Sequence, residues 1–79
     1  MREDIRLLFA TLLRVPVDSV TGTTRPADLP RWDSLQHMIL VSGFEEEFSV
    51  DVEPEEAVEM FRDFGTFESV ILRKLNGAG

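Results

Sequence analysis

The chain has 79 residues, of which 43% are hydrophobic and 29% charged, a balance typical of one small globular domain spanning residues 1–79. Fifteen acidic residues against eight basic ones give a formal charge of -7, which disfavours nucleic acids and anionic membranes as partners and favours basic protein surfaces. The absence of cysteine excludes disulfides, thiolate catalysis and cysteine-bound zinc. Any thiol chemistry must therefore be supplied from outside the chain.

The first predicted element is an amphipathic helix from about Glu3 to Arg14. It ends near Val15, because Pro16 disfavours helical geometry in the residue before it. The uncharged stretch 7–13 is too short to cross a bilayer, and acids stand where a signal peptide would have positive charge, so we expect a cytoplasmic protein. The helical spacing is carried by four apolar residues, Ile5, Leu8, Phe9 and Leu12.

A long connection follows, from Pro16 to Asp33. It holds three prolines and Gly22 and shows no periodicity, so we expect a loop fixed to the core by Val17, Val20 and Leu29. Such a long loop in a small domain is often functional.

The second helix is predicted over residues 35–48, with Asp33 or Ser34 as its N-cap. At 100° per residue, Leu35 and Ile39 fall opposite the core face, in the turn after Ser34. Isolated surface aliphatics are common, but here a glutamate run follows on the same helix, which favours an apolar contact flanked by steering charge. The core face is predicted to hold His37, Leu40, Val41, Phe44 and Phe48.

The negative charge is concentrated in one block. Residues 44–68 carry ten acids against Arg62 alone, whereas acids and bases cancel over residues 1–43. Such a block is either a solvated face or a docking surface.

Two more helices complete an all-α architecture of four helices. A short third helix opens at Pro54 and runs through Phe61, since proline suits the first helical position. Gly65 and Thr66 are predicted to separate it from the last helix, which stops at Asn76-Gly77. The expected buried aromatic residues are Phe9, Phe44, Phe48, Phe61 and Phe67.

Ser34 has two interpretations. It is either a capping serine or an accessible hydroxyl beside the unpaired N–H groups of a helix N-terminus, which favour an attached phosphate. Asp33 would then offer a carboxylate to a modifying enzyme, or be the cap itself.

The triplet Asp33-Ser34-Leu35, the stretch 44–48 (FEEEF) and the stretch 63–70 (DFGTFESV) together resemble those of acyl carrier proteins. The resemblance covers nearly the whole chain. It implies a four-helix bundle whose serine, Ser34, receives 4′-phosphopantetheine from coenzyme A and then carries acyl groups as thioesters. The protein would be a substrate of partner enzymes rather than an enzyme.

The resemblance also implies that the second helix recognises the partners. These would be a phosphopantetheinyl transferase and acyl-loading and acyl-processing enzymes with basic docking patches, meeting a monomeric, free-standing carrier. The expected partner-binding residues are Trp32, Leu35, Ile39, Glu45, Glu46 and Glu47.

Two departures from fatty-acid carriers stand out. Fatty-acid carriers tend to have acids one and four residues beyond the serine, whereas the neighbouring positions here hold Gln36, His37, Met38 and Ile39. Trp32 stands where many of those carriers have a small residue. The combination Trp-Asp-Ser-Leu resembles carriers of specialised pathways.

Other interpretations stay open. An aminoacyl or peptidyl carrier and an unmodified helical adaptor would share the same fold. A Ser34–His37 hydrolytic pair is disfavoured because His37 faces the core. A cation site at Asp51, Glu53 and Glu55 is disfavoured because the calcium-loop spacing is absent.

Overall fold

A computed structural model describes residues 2–77, which form four α-helices and no strand. The helices are α1 (Arg2–Leu13), α2 (Ser34–Phe48), α3 (Pro54–Met60) and α4 (Phe64–Asn76). The predicted all-α fold with a long first connection and a short third helix is confirmed. Residues 1, 78 and 79 of the expected domain lie outside the described range.

The core is built around Phe9 of α1, which is fully buried. Its ring makes edge-on contacts with Trp32, Phe64 and Phe67, at centroid distances of 4.9, 4.8 and 5.2 Å. Such edge-to-face geometry is favourable for aromatic pairs. The predicted core residues Phe48 and Phe61 are only partly buried and pack against this core.

The long connection between α1 and α2 is ordered by two short 3₁₀ turns, Val17–Ser19 and Pro26–Asp28. Val20 and Leu29 are buried, as predicted, and Val17 packs against the core. Two carbonyls of this loop meet the start of α4: the Thr24 carbonyl accepts a hydrogen bond from the Phe64 amide at 2.8 Å, and the Gly22 carbonyl accepts one from the Gly65 amide at 2.9 Å. The loop therefore supplies backbone partners for the first turn of α4.

The predicted break at Gly65 and Thr66 is wrong, because both residues lie inside the first turn of α4. Asp63 is the N-cap, and its carboxylate accepts a hydrogen bond from the Thr66 amide at 2.7 Å. This cap holds the pKa of Asp63 below its ordinary value, since the hydrogen bonds favour the charged form. The helix thus begins three residues earlier than expected.

Two helices end with a residue that is not glycine in the left-handed conformation. Arg14 has φ 60° after α1, and Ser49 has φ 55° after α2. At the first site the Val15 amide bonds to the Ala10 carbonyl at 3.0 Å, the arrangement of a Schellman motif. At the second site the Val50 amide bonds to the Glu45 carbonyl at 3.2 Å in the same way.

None of the helices within residues 2–77 combines the length and the apolar character needed to span a membrane.

Candidate functional site at the start of helix α2

Ser34 is the first residue of α2 and is exposed. The N-cap is Asp33, whose Oδ1 accepts a hydrogen bond from the Gln36 amide at 2.8 Å. Across residues 2–77 the Ser34 hydroxyl takes no hydrogen-bond partner. The choice between Asp33 and Ser34 as the cap is thereby decided in favour of Asp33, and the serine oxygen stays available to an approaching molecule.

An apolar groove of about 740 Å³ opens beside Ser34. Its walls come from α2 on one side and from α3 and its flanks on the other. No local sequence pattern predicts this groove, because it depends on the spacing of two helices. Among its lining residues are Ser34, Met38, Val41, Ala57, Val58 and Phe61.

The exposed aliphatics of α2 lie within two turns of Ser34. Leu35 is 68% exposed, Met38 62% and Ile39 49%, so the helical wheel placed Leu35 and Ile39 correctly on the outer face. Val58 of α3 adds a fourth large exposed apolar side chain across the groove. The predicted exposed apolar surface at Leu35 and Ile39 is present in the fold, and its role in binding partners stays a prediction.

The three glutamates predicted as one steering cluster differ in their surroundings. Glu46 and Glu47 are exposed. Glu45 is half-buried, and its Oε2 accepts a hydrogen bond from the Val52 amide at 2.9 Å, which ties the end of α2 to the following loop. Glu45 therefore stabilises the turn between α2 and α3, and the exposed charge belongs to the other two.

Trp32 was expected on the partner-binding surface, and that expectation is wrong. The side chain is only 1% exposed and packs among Phe9, Phe61 and Phe67. A large apolar ring two residues before Ser34 thus fixes the segment to the core instead of presenting it to a partner.

His37 is buried on the core face, at 5% exposure, as the helical wheel predicts. Its Nδ1 accepts a hydrogen bond from Trp32 Nε1 at 3.0 Å, and its Nε2 lies 2.7 Å from the Ala57 carbonyl oxygen. Burial lowers the pKa of His37 from its ordinary 6.5, although the bond to Ala57 opposes this shift. Both ring nitrogens are engaged away from Ser34, so the structure does not assemble a Ser34–His37 pair.

Two arginines lie near the same helix end. Arg14 and Arg31 line a second depression of about 530 Å³ together with Asp33 and Ile39. The sequence placed these bases far apart, in the first helix and in the loop, and the fold brings them to one side of α2. The surroundings of Ser34 therefore carry positive as well as negative charge.

No group of three or more histidine or acidic side chains within the described residues is arranged to hold a metal ion. Glu53 instead forms a capping interaction, in which its amide donates to Glu56 Oε1 at 2.9 Å.

No protein-family model matches the chain, and a search of curated proteins finds no significant match to it.

Proposed function

We propose that the chain is a cytoplasmic acyl carrier protein, modified on Ser34 with 4′-phosphopantetheine by a phosphopantetheinyl transferase. The observation that carries this proposal is the Ser34 hydroxyl, which is exposed, free of hydrogen bonds to residues 2–77, and set at the rim of an apolar groove. When attached, the group supplies the thiol that a chain without cysteine lacks.

The residues around Ser34 fit such a group. Asp33 already caps α2, so converting the serine to a phosphodiester removes no hydrogen bond from the helix. The positive end of the helix dipole favours the negative phosphodiester at this position. In the modification the Ser34 oxygen bonds to phosphorus as the bond from that phosphorus to the nucleotide part of coenzyme A breaks. The hydroxyl proton passes to a base of the transferase.

The groove favours an acyl cargo over an aminoacyl or peptidyl one. Its walls are mainly apolar side chains, among them Met38, Val41 and Val58. A hydrocarbon chain gains free energy by covering such surface, at about 25 cal/mol per Å² of apolar area removed from water. A charged aminoacyl group gains no such benefit.

The outer face of α2 supports recognition by partner enzymes. Leu35 and Ile39 offer an apolar contact near Ser34, and Glu46 and Glu47 provide exposed negative charge further along the helix. An apolar centre gives affinity, while charge at the edge speeds encounter with basic patches.

The partner set is expected to differ from that of fatty-acid synthesis. The first turns of α2 carry the uncharged Gln36 and Met38 and the buried His37, so negative charge is displaced toward residues 46 and 47. A ketoacyl synthase of fatty-acid synthesis should therefore accept the acylated protein poorly compared with its own carrier. Equal efficiency would contradict a specialised partner set.

The deciding experiment is intact-mass measurement after incubation with coenzyme A, magnesium and a broad-specificity transferase. One phosphopantetheinyl group is expected on the natural chain and none on Ser34→Ala. Ser42→Ala is the matched control, because Ser42 is also an exposed serine of α2 that lines the groove, and this variant should be modified normally. An unchanged mass of the natural chain with several transferases would support an unmodified adaptor instead.

A further inference from the structure

Helix α3 is held differently on its two sides. Its backbone packs closely against α4, and Glu56 pairs with Lys74 at 2.7 Å and with Arg73 at 3.5 Å. On the side facing α2 the groove intervenes. There, His37 of α2 reaches across to the Ala57 carbonyl at 2.7 Å.

The same histidine also holds the segment that leads to Ser34. The indole N–H of Trp32 can only donate a hydrogen bond, so His37 Nδ1 at 3.0 Å must be its unprotonated acceptor. The neutral ring then carries its proton on Nε2 and donates it to Ala57. One tautomer of one ring therefore joins three parts of the chain: the loop before Ser34, α2 and α3.

We propose that neutral His37 is a positioning residue that clamps α3 and the Trp32 segment onto α2, and that protonation of Nδ1 releases the Trp32 segment, which leads to Ser34, while the hydrogen bond from Nε2 to Ala57 is kept. The chemistry is a proton transfer from solvent to Nδ1, with no other covalent bond made or broken. Once Nδ1 carries a proton it faces the indole N–H, and two donors cannot share one hydrogen bond.

The surroundings of the ring favour the neutral form. Its contacts are Trp32 from the loop, Ala57 and Phe61 from α3 and its end, and Phe67 from α4, and none of these side chains titrates in this range. The other titratable side chain lining the groove is Glu45, whose carboxylate is bonded to the Val52 amide. Burial without a partner carboxylate lowers the pKa of His37, so release requires mildly acidic solution.

The clamp itself is a property of the unmodified chain. Its consequence for the arm on Ser34 rests on the proposed function, whereas its existence does not. The test therefore uses the unmodified protein, so that failure of Ser34 to be modified and failure of the clamp are separate results.

The experiment follows backbone amide protection factors by NMR hydrogen exchange between pH 7.5 and pH 5, on the natural chain and on His37→Gln. Glutamine can accept from the indole with its oxygen and donate to Ala57 with its amide, but it does not titrate. Ring ¹⁵N shifts of His37 give the tautomer and the midpoint of its titration. The emission of Trp32, the sole tryptophan, reports the indole environment in parallel.

In the natural chain, protection of the Trp32 amide, which donates to the Leu29 carbonyl at 2.8 Å, should fall roughly fivefold as His37 titrates, the factor that corresponds to about 1 kcal/mol for one hydrogen bond. Protection in α3 should change much less, because the charged ring keeps its hydrogen bond to Ala57, and the midpoint should lie below 6.5 and match that of the ring. In His37→Gln the protection of the Trp32 amide should be independent of pH over this range.

Three results would overturn the proposal. The first is an equal loss of Trp32 amide protection in the natural chain and in His37→Gln. The second is a ring that titrates while the amide protection and the emission of Trp32 stay unchanged. The third is a neutral ring with its proton on Nδ1, and the last two are measured on the natural chain even if the glutamine variant does not fold.

Discussion

The amide of Gly65 donates a hydrogen bond to the Gly22 carbonyl at 2.9 Å, and a Cβ placed on Gly65 would lie only 2.7 Å from that same oxygen. The contact joins the first turn of α4 to the loop between α1 and α2. Because the opposing atom belongs to the backbone, it has little freedom to move aside. The φ of Gly65 is negative, so backbone conformation does not require glycine here. The lack of space for a Cβ does.

We expect Gly65→Ala to lower the free energy of unfolding by roughly 1–3 kcal/mol, the usual cost of overpacking. Gly43→Ala is the matched control, because its new Cβ would meet only the Leu12 side chain, whose Cδ1 at 2.9 Å is a flexible end that can rotate away. Alanine also favours the helix at position 43, by up to about 1 kcal/mol. Urea denaturation of both variants checks the expectation, and equal losses would contradict it.

Alanine substitutions at Asp33 and Ser34 should differ in their effect on the free energy of unfolding. Asp33→Ala removes the cap of α2 and should cost about 1 kcal/mol. Ser34→Ala removes an exposed hydroxyl without a bond to the described chain and should change stability by less than about 0.5 kcal/mol. Thermal or urea unfolding compares the two, and the reverse order would show that Ser34 is the structural residue.

Ile39→Glu should leave the fold intact and impair docking. The side chain is 49% exposed, so the expected change in stability is within about 0.5 kcal/mol. The rate of modification by the transferase should fall, because a charge replaces the apolar contact. Leu7→Glu on α1, at 48% exposure, is the control and should be modified at the natural rate. A large fall in melting temperature for Ile39→Glu would mean that Ile39 serves the core.

Exposed charge should make partner association depend on salt. Rates for the natural chain should fall as ionic strength rises, because Glu46 and Glu47 attract basic patches over a distance of about 10 Å at 0.1 M salt. The double variant Glu46→Gln, Glu47→Gln should show a weaker salt dependence. Identical rates at low and high salt would argue against a steering role.

Stability should fall in two separate ranges as the solution is acidified. The folded pKa of His37 lies below its ordinary 6.5, so the unfolded chain binds the proton first, and stability declines as pH falls from about 6.5 toward the folded pKa. Hydrogen bonds lower the pKa values of Glu56 and Asp63 from their ordinary 4.5 and 3.8, so the stability that each contributes is lost as the pH falls below those ordinary values. Urea midpoints against pH should lose the upper decline in His37→Gln and keep the lower one.

The helices were predictable because their signals are local. Apolar spacing, Pro16 and Pro54 located three of the four helices to within one or two residues. The start of α4 was missed because Gly65 was interpreted as a separator. Its actual reason is the approach of the Gly22 backbone, a contact between parts of the chain more than 40 residues apart that no local pattern contains.

The candidate site was only partly predictable. Ser34, Leu35 and Ile39 could be placed because a helix fixes their direction. Trp32 could not, because the loop before α2 has no period, and its burial results from the packing of α1 and α4 around it. The groove and the two hydrogen bonds of the His37 ring depend on how α3 packs against the rest of the fold, which no local sequence pattern determines.

The two residues in the left-handed conformation after α1 and α2 are positions where the stability of the protein could be raised. Arg14 and Ser49 hold a conformation that costs a side chain about 1–2 kcal/mol and that glycine adopts freely, although glycine also gains freedom in the unfolded state. At Ser49, which lies outside the residues lining the groove, a glycine should therefore raise the melting temperature slightly. The added stability could compensate for destabilising substitutions made around Ser34.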